Sequence, residues 1–404
     1  MATDKTSYLP SKPRYEILDA LRGVAALMIV AFHMLEYYSK GPAYQILNHG
    51  YLAVDFFFIL SGFVIGYAYD DRWDRMNLGN FFKRRLVRLH PMLIFGTIVG
   101  AILYYHQDYV YGVNFDNAST PWWALLLTCL YGFTLLPIPN NWNIRGMGEM
   151  HPLNNVFWTL MWEYIANILY ATVIRRFSRI VLTLFVIFSA FLTVNLCMNI
   201  DVFGVWAERT SEAYTVIGGW TLEPHMLVIA VTRLLYPFFC GLLLSRLFTG
   251  FDGGKKLLNV EKFRVKGGFW KCVAAVAILL AMPRIGGTDP ANFWMNGLYE
   301  TVVILICFPL IVLFGVGSKA EGATGKICKF LGDISYPLYV THLPFVFVMM
   351  NWAATHAEAP TATHFTVAAG LYIMAVGVAY AALKLYDLRV REFLKDRLFK
   401  KKAA

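Results

Sequence analysis

Residues 15–33, YEILDALRGVAALMIVAFH, form an apolar run with one arginine and one histidine inside it. A helix needs about 20 mostly apolar residues to cross the hydrocarbon core of a bilayer. The run therefore predicts a membrane-spanning helix near 17–35. Arg22 and His33 are eleven residues apart, about three helical turns plus 20°, so they share one face with a rise of about 16 Å between them.

The composition of the whole chain agrees with this first helix. Of 404 residues, 58% are hydrophobic and 15% are charged. Ordinary soluble domains have about 45–50% apolar and about 25% charged residues. Too few polar residues are present to cover the surfaces of soluble domains, and the same numbers exclude disorder, a collagen-like repeat and a coiled coil. The sequence predicts an all-α polytopic membrane protein.

Apolar runs predict about ten transmembrane helices, near 17–35, 51–69, 91–107, 154–174, 180–200, 225–247, 268–282, 296–317, 331–351 and 364–386. The run 122–139 is also apolar but contains two prolines, and we expect it to be re-entrant or interfacial. With ten spans, both termini and most of the 36 Lys and Arg residues face the cytoplasm, as the positive-inside rule favours. We expect one transmembrane domain, 1–386, followed by a basic cytoplasmic tail, 387–404.

The net charge of +10 does not indicate a nucleic-acid partner here. In a membrane protein it is typical of cytoplasmic loops that face anionic lipid. The six cysteines are scattered without a CxxC pair, so we expect neither structural disulfides nor a metal site. The sequence lacks GxSxG, HExxH and Walker A motifs, which excludes the common soluble-enzyme signatures.

Two histidines lie at similar predicted depth inside the membrane, His33 and His342. An ionisable group there costs about 2.5–3.5 kcal/mol on insertion scales and therefore suggests a function. Ser335, Tyr339 and His342 follow i, i+4, i+7 spacing and form one polar stripe. The alternatives are an interfacial anchor at Arg22, a satisfied interhelical histidine at position 33, and hydrogen bonding between helices along the stripe.

Two carboxylates also fall in predicted spans, Asp55 in GYLAVDFFFILSGF and Glu163 in FWTLMWEYIANILY. Each could instead pair with a base or a backbone amide. Arg85 and Arg88, in KRRLVRLHP, are three residues apart and point the same way from a helix. Positive-inside loops look like this by default, but arginine also matches the geometry of phosphate groups.

Together these segments resemble the acyltransferase family 3 membrane proteins. Arg22 and His33 have the R-x10-H spacing of that family, and LAVDFFFILSGFVIGY is similar to its G-V-D-x-F-F-x-L-S-G-F signature, with Ala53 in place of glycine. KRRLVRLHP is similar to its R-x-x-R-x-x-P element. FLGDISYPLYVTHLPF is similar to its late S-Y-x-x-Y-x-x-H helix. Trp158 to Glu163 match W-S-L-x-x-E, with threonine for serine.

The resemblance implies an integral membrane O-acyltransferase of a bacterial inner membrane, without a fused SGNH-type domain. Such an enzyme takes an acyl group, most often acetyl, from cytoplasmic acyl-CoA and transfers it to a hydroxyl of a cell-surface or exported glycan or glycolipid. A small acceptor such as a macrolide is an alternative within the family. A proton-coupled transporter is an alternative from another class, although no inverted repeats support it. A homo-oligomer is also an open alternative.

The resemblance also assigns roles to residues. Arg22, Arg85 and Arg88 would bind the phosphates of CoA, and His33 would be the general base on the acceptor hydroxyl. Asp55 or Glu163 would orient His33. Ser335, Tyr339 and His342 would polarise the thioester carbonyl. A covalent acyl-histidine intermediate remains an alternative to direct transfer.

Overall fold

A computed structural model describes residues 12–39, 41, 44–205, 209, 213–251 and 256–399. Its helices are α1 (Glu16–Glu36), α2 (Ala53–Tyr69), α3 (Leu78–Leu103), α4 (Trp122–Thr134), α5 (Phe157–Thr172), α6 (Arg179–Cys197), α7 (Pro224–Thr249), α8 (Gly268–Ala281), α9 (Phe293–Val302), α10 (Phe308–Gly317), α11 (Gly322–Thr341), α12 (Leu343–Thr355), α13 (Thr361–Ala382) and α14 (Leu388–Phe399). A two-stranded hairpin, β1 (Tyr109–Val110) and β2 (Val113–Asn114), lies between α3 and α4.

Seven helical runs of the described chain are long and apolar enough to cross a membrane, and α4, α8 and α12 are shorter apolar helices. The prediction of a helical protein with several apolar helices long enough to span a membrane is therefore confirmed for the described residues. Each of the ten predicted spans contains a helix. That all ten cross the bilayer, and that α4 does not, remains a prediction.

Two predicted bounds do not coincide with the ends of helices. Helix α3 begins at Leu78 rather than near 91, because Pro91 lies inside the helix and does not end it. At the other end of the chain, π-helical residues Leu383–Asp387 join α13 to α14 without interruption. The expected domain boundary at 386 therefore falls inside a continuous helix. Of the expected tail, 400–404 lie outside the described residues.

Glycines set the closest helix packing. A Cβ atom on Gly62 of α2 would lie 1.8 Å from the carbonyl oxygen of Phe238, and one on Gly241 of α7 would lie 2.0 Å from that of Ile59. The backbones of α2 and α7 are therefore in direct contact, as small residues allow between membrane helices. This contact explains the glycine of the sequence LSGF.

The pair α1 and α11 is built in the same way. A Cβ atom on Gly23 would lie 2.3 Å from the carbonyl oxygen of Leu331, and one on Gly332 would lie 2.8 Å from the Cβ of Asp19. The two helices that carry His33 and His342 are thus held backbone to backbone. The histidines end up in contact because of this packing.

A long segment, 104–156, covers the end of the bundle at which α1 ends. It contains the hairpin and α4 and docks onto the junction between α11 and α12. Asn154 donates to the carbonyl of Val340 at 2.6 Å, and Gln107 donates to the carbonyl of Pro344 at 3.0 Å. Because Pro344 has no N–H, the carbonyl of Val340 lacks its usual helical donor and is free for Asn154. We call this segment the outer cover.

Candidate active site

The rings of His33 and His342 stack, with centroids 5.6 Å apart and planes at 27°. His33 lies in the last turn of α1, and His342 lies at the break between α11 and α12. His342 is fully buried, whereas the side chain of His33 is 17% exposed. The equal depth predicted for the two residues therefore corresponds to direct contact.

The backbone fixes the protonation pattern of His342. Its Nδ1 lies 2.8 Å from the carbonyl oxygen of Tyr339 and 3.2 Å from that of Leu338. A carbonyl only accepts, so Nδ1 carries the hydrogen and the neutral ring has a bare Nε2. This Nε2 is buried and has no hydrogen-bond partner within the described chain. The arrangement gives a nitrogen that can accept a proton.

The carboxylate beside His33 is Glu36, which the sequence analysis did not single out. Nδ1 of His33 lies 2.9 Å from Oε2 of Glu36, three residues further along α1. The i, i+3 spacing on one helix was the available signal. Tyr111, at the tip of the hairpin, also lies within electrostatic range of the Glu36 carboxylate. Tyr111 has a positive φ of 50°, which is unusual for tyrosine, and is next to Gly112 in the two-residue turn.

Asp55 does not orient His33, and this expectation is wrong. Arg233 of α7 binds both carboxylate oxygens of Asp55, at 2.7 Å and 3.3 Å, and also donates to the carbonyl of Tyr51. Both side chains are almost fully buried. The open alternative, a carboxylate paired with a base, is the one observed. The pair ties α2 to α7 close to the end where the outer cover docks.

Glu163 likewise forms an ion pair with an arginine and does not contact His33. Nη2 of Arg85 lies 2.8 Å from Oε1 of Glu163, and the hydroxyl of Ser61 approaches the same oxygen at 3.4 Å. The Arg85 side chain is 3% exposed. The pair joins α3 to α5, so Arg85 is less available to a phosphate than the sequence predicted.

Ser335, Tyr339 and His342, which were expected to polarise the thioester carbonyl, already use their hydrogen-bond donors within the described structure. Ser335 donates to the carbonyl of Gly332 within its own helix. The hydroxyl of Thr159 donates to Val156, so Tyr339 is the donor in its 2.7 Å contact with Thr159. His342 uses Nδ1 on carbonyls, as described. In this arrangement none of the three polarises a thioester, because each hydrogen is already committed.

Arg22, Arg85 and Arg88 lie together about three turns of α1 away from His33. Their charges are close enough to interact with one another, and Asp19 also contributes to the field at Arg88. Arg22 pairs with Asp19 at 3.4 Å and is partly exposed, whereas Arg88 is exposed. Of the three arginines, Arg88 is the most accessible, and their common role remains a prediction. We call this cluster the arginine mouth.

A second buried polar network lies beside Asp55 and was not predicted. Glu300 accepts from the hydroxyl of Tyr51, from the backbone N–H of Val216 and from the amide of Asn296, and His49 hydrogen-bonds to Asn296. These residues come from distant parts of the chain, so no local spacing indicates them. The network joins the segment just before α2, helix α9 and the loop before α7.

The outer cover is fastened by Arg145. Its guanidinium donates to the carbonyl of Pro152 and to the side chain of Gln107. It also lies over the rings of Phe347, at 4.9 Å, and Tyr104, at 5.2 Å. Burial lowers the pKa of Arg145, and nearby Glu149 opposes that shift. The cover is therefore an ordered part of the site.

Residues 15–384 match the acyltransferase domain family known as acyltransferase 3. The chain belongs to this family.

Two relatives illustrate the range of the family. Protein 2 in the picA locus of Rhizobium radiobacter is 33% identical over 165 residues, which are 39% of this chain and 81% of the relative. The peptidoglycan O-acetyltransferase OatA of Listeria monocytogenes is 22% identical over 358 residues, 84% of this chain. The chain spans about half the length of that relative, 49%. No solved structure matches the chain.

Proposed function

We propose that this protein is an O-acyltransferase that moves an acyl group, most often acetyl, from cytoplasmic acyl-CoA to a hydroxyl of a cell-surface or exported carbohydrate. The observation that carries the proposal is the pair of stacked histidines, His33 and His342, of which His33 shares a face of α1 with Arg22. Family membership supports acyl transfer, and the name of the Listeria relative supports a glycan acceptor.

Acyl-CoA has a polyanionic nucleotide end and a neutral thioester end, joined by the pantetheine arm. The arginine mouth suits the phosphates because guanidinium groups match their geometry and charge. The rise of about 16 Å from Arg22 to His33 is a span that the arm can bridge. Helix α1 would therefore carry both Arg22, which anchors the donor, and His33, which acts in the transfer.

The reaction needs a base for the acceptor hydroxyl. If Nδ1 of His33 donates to Glu36, Nε2 is the free basic nitrogen. It accepts the hydroxyl proton as the oxygen attacks the thioester carbonyl carbon. The C–S bond then breaks, and the CoA thiolate leaves with that proton. Glu36 stabilises the charged imidazole formed in between, the role that a carboxylate has in catalytic triads.

His342 supports this chemistry from the other side. Its bare Nε2 can accept a hydrogen bond but cannot donate one while the ring is neutral. It can therefore orient the acceptor hydroxyl or act as the base itself. A covalent acyl-histidine would use the same nitrogen, so both routes need a histidine in this place.

The experiment uses the full chain, purified in lipid nanodiscs and supplied with acetyl-CoA labelled in the acetyl group. We expect binding of acetyl-CoA and transfer of label to a fraction of bacterial glycans. Mass spectrometry of surface glycans from a deletion strain should show the loss of the same O-acetyl group. A protein that does not bind acyl-CoA contradicts the proposal and favours the proton-coupled transporter.

A further inference from the structure

The last helix, α14, lies beside the arginine mouth. It packs against α3, and the guanidinium of Arg84 lies 5.2 Å from the ring centre of Phe399 near the end of α14. Phe399 is buried there, although the helix is otherwise rich in exposed side chains. The segment expected from sequence to be a tail is therefore a helix packed on α3, next to the arginines of that helix.

One arginine of α14 faces inward. Arg391 pairs with Asp387 at 2.6 Å, one turn earlier, and Asp387 is fully buried. The Arg391 side chain is 28% exposed, and its Nε is buried without a hydrogen-bond partner in the described chain. A guanidinium has five N–H donors, so the single contact with Asp387 leaves donors unused.

Arg391 is connected to the arginine mouth through Tyr336. The hydroxyl of Tyr336 donates to the carbonyl of Leu89 on α3 at 2.6 Å. Tyr336 also lies within electrostatic range of Glu163, Asp387 and Arg391. Since Glu163 binds Arg85, Tyr336 interacts both with Arg391 and with the partner of an arginine of the mouth.

We propose that Arg391, held in place by Asp387, binds a phosphate of the nucleotide end of acyl-CoA and is a fourth arginine of the donor site. Its accessible guanidinium complements Arg88, because the buried Arg85 is already neutralised by Glu163. Asp387 pre-organises the guanidinium, which lowers the loss of side-chain freedom on binding. The inference rests on the proposed function, since it concerns the same donor.

The test compares two donors that differ only at the nucleotide end, acetyl-CoA and the acetyl thioester of pantetheine. The variant is the full chain with both Asp387→Asn and Arg391→Gln, because Arg391→Gln alone leaves a buried carboxylate unpaired. We expect Kd for acetyl-CoA to rise about tenfold, the effect of one lost charge-assisted contact, with Kd for the pantetheine thioester unchanged. Arg391→Lys, which keeps the charge, should restore part of the affinity.

The matched control is Arg397→Gln on the same helix, since Arg397 is exposed and lies over Phe393. It should leave both affinities unchanged. An unchanged Kd for acetyl-CoA in the double variant overturns the inference, as does an equal loss for both donors. A change in Kd for acetyl-CoA that occurs only in nanodiscs containing anionic lipid also overturns it and assigns Arg391 to the membrane surface. If the unaltered protein binds no acyl-CoA, the proposed function itself fails.

Discussion

His342 and His33 stack in the interior of the bundle, and the free nitrogen of His342 is defined by its own helix. The carbonyls of Leu338 and Tyr339 accept the Nδ1 hydrogen, so Nε2 is a bare acceptor. His33 has a carboxylate partner instead. The two rings therefore differ in their partners, since His33 has a carboxylate and the Nδ1 of His342 has only backbone carbonyls.

We expect His33→Ala to bind acyl-CoA normally and to lose about 10²-fold or more in acyl transfer, since a general base contributes rate rather than donor affinity. The measurement is transfer per correctly folded molecule, normalised to bound acyl-CoA. His225→Ala is the control, because His225 is 41% exposed at the start of α7. Substantial transfer by His33→Ala would assign the base to His342.

Glu36→Gln should lower turnover by about 10- to 10²-fold, because an amide removes the charge that stabilises the His33 imidazolium, and a charged hydrogen bond contributes about 1.5–3 kcal/mol. KM for the acyl donor should not change. Glu358→Gln, at an exposed position near the same end of the bundle, is the control. Equal turnover of the Glu36 variant and the unaltered protein would show that the contact with His33 has no role in transfer.

The two arginines of KRRLVRLHP should differ. Arg88→Gln should weaken acyl-CoA binding by about tenfold or more, since Arg88 is exposed and forms no direct ion pair with any described residue. Arg85→Gln should lower the melting temperature, because it leaves Glu163 unpaired. Adding Glu163→Gln should restore part of that stability, and the double-mutant cycle measures the coupling. If Arg88→Gln binds acyl-CoA as tightly as the unaltered protein, the arginines reflect only the positive-inside rule and do not bind the donor.

Asp55→Asn should destabilise the protein by about 3–5 kcal/mol, because it leaves Arg233 buried and unpaired. Thermal unfolding in detergent measures the change. The acyl transfer rate per folded molecule should stay near normal, since Asp55 does not contact either histidine. A large loss of turnover without a loss of stability would return Asp55 to a catalytic role. If the variant does not fold, Asp55→Leu combined with Arg233→Met removes both charges and permits the same comparison.

Ten spans place Glu223 outside the cell and Glu261 inside. Both side chains are exposed, so cysteines at these two positions should be accessible to a thiol reagent. In a cysteine-free background, a membrane-impermeant thiol reagent should modify Glu223→Cys in intact cells and Glu261→Cys only after lysis. Labelling of position 261 in intact cells would contradict the ten-span orientation.

Helical periodicity was sufficient to predict the face shared by Arg22 and His33. Apolar runs likewise located a helix in each expected span. These features are local, because a helix fixes the relation between residues a few turns apart. The contact between Glu36 and His33 is local in the same sense and could have been predicted, but the expected helix ended one residue before Glu36.

The partners of Asp55 and Glu163 could not be predicted in this way. Arg233 reaches Asp55 because glycines bring α2 and α7 into backbone contact, and Arg85 reaches Glu163 across the packing of α3 and α5. A buried carboxylate pairs with whichever base the tertiary structure supplies. A sequence shows that a partner is required but does not show which one it is.

Pro344 affects the cost of moving the outer cover away from the histidines. Proline has no N–H, so the carbonyl of Val340, two residues before His342, accepts its hydrogen bond from Asn154 of the outer cover instead. A ligand that displaces the cover must strip a buried carbonyl of its donor beside the histidines, whereas a ligand that enters past Arg22 and Arg88 leaves this bond intact. Displacing the outer cover therefore costs a buried hydrogen bond beside His342, and a ligand bound at the arginine mouth does not incur that cost.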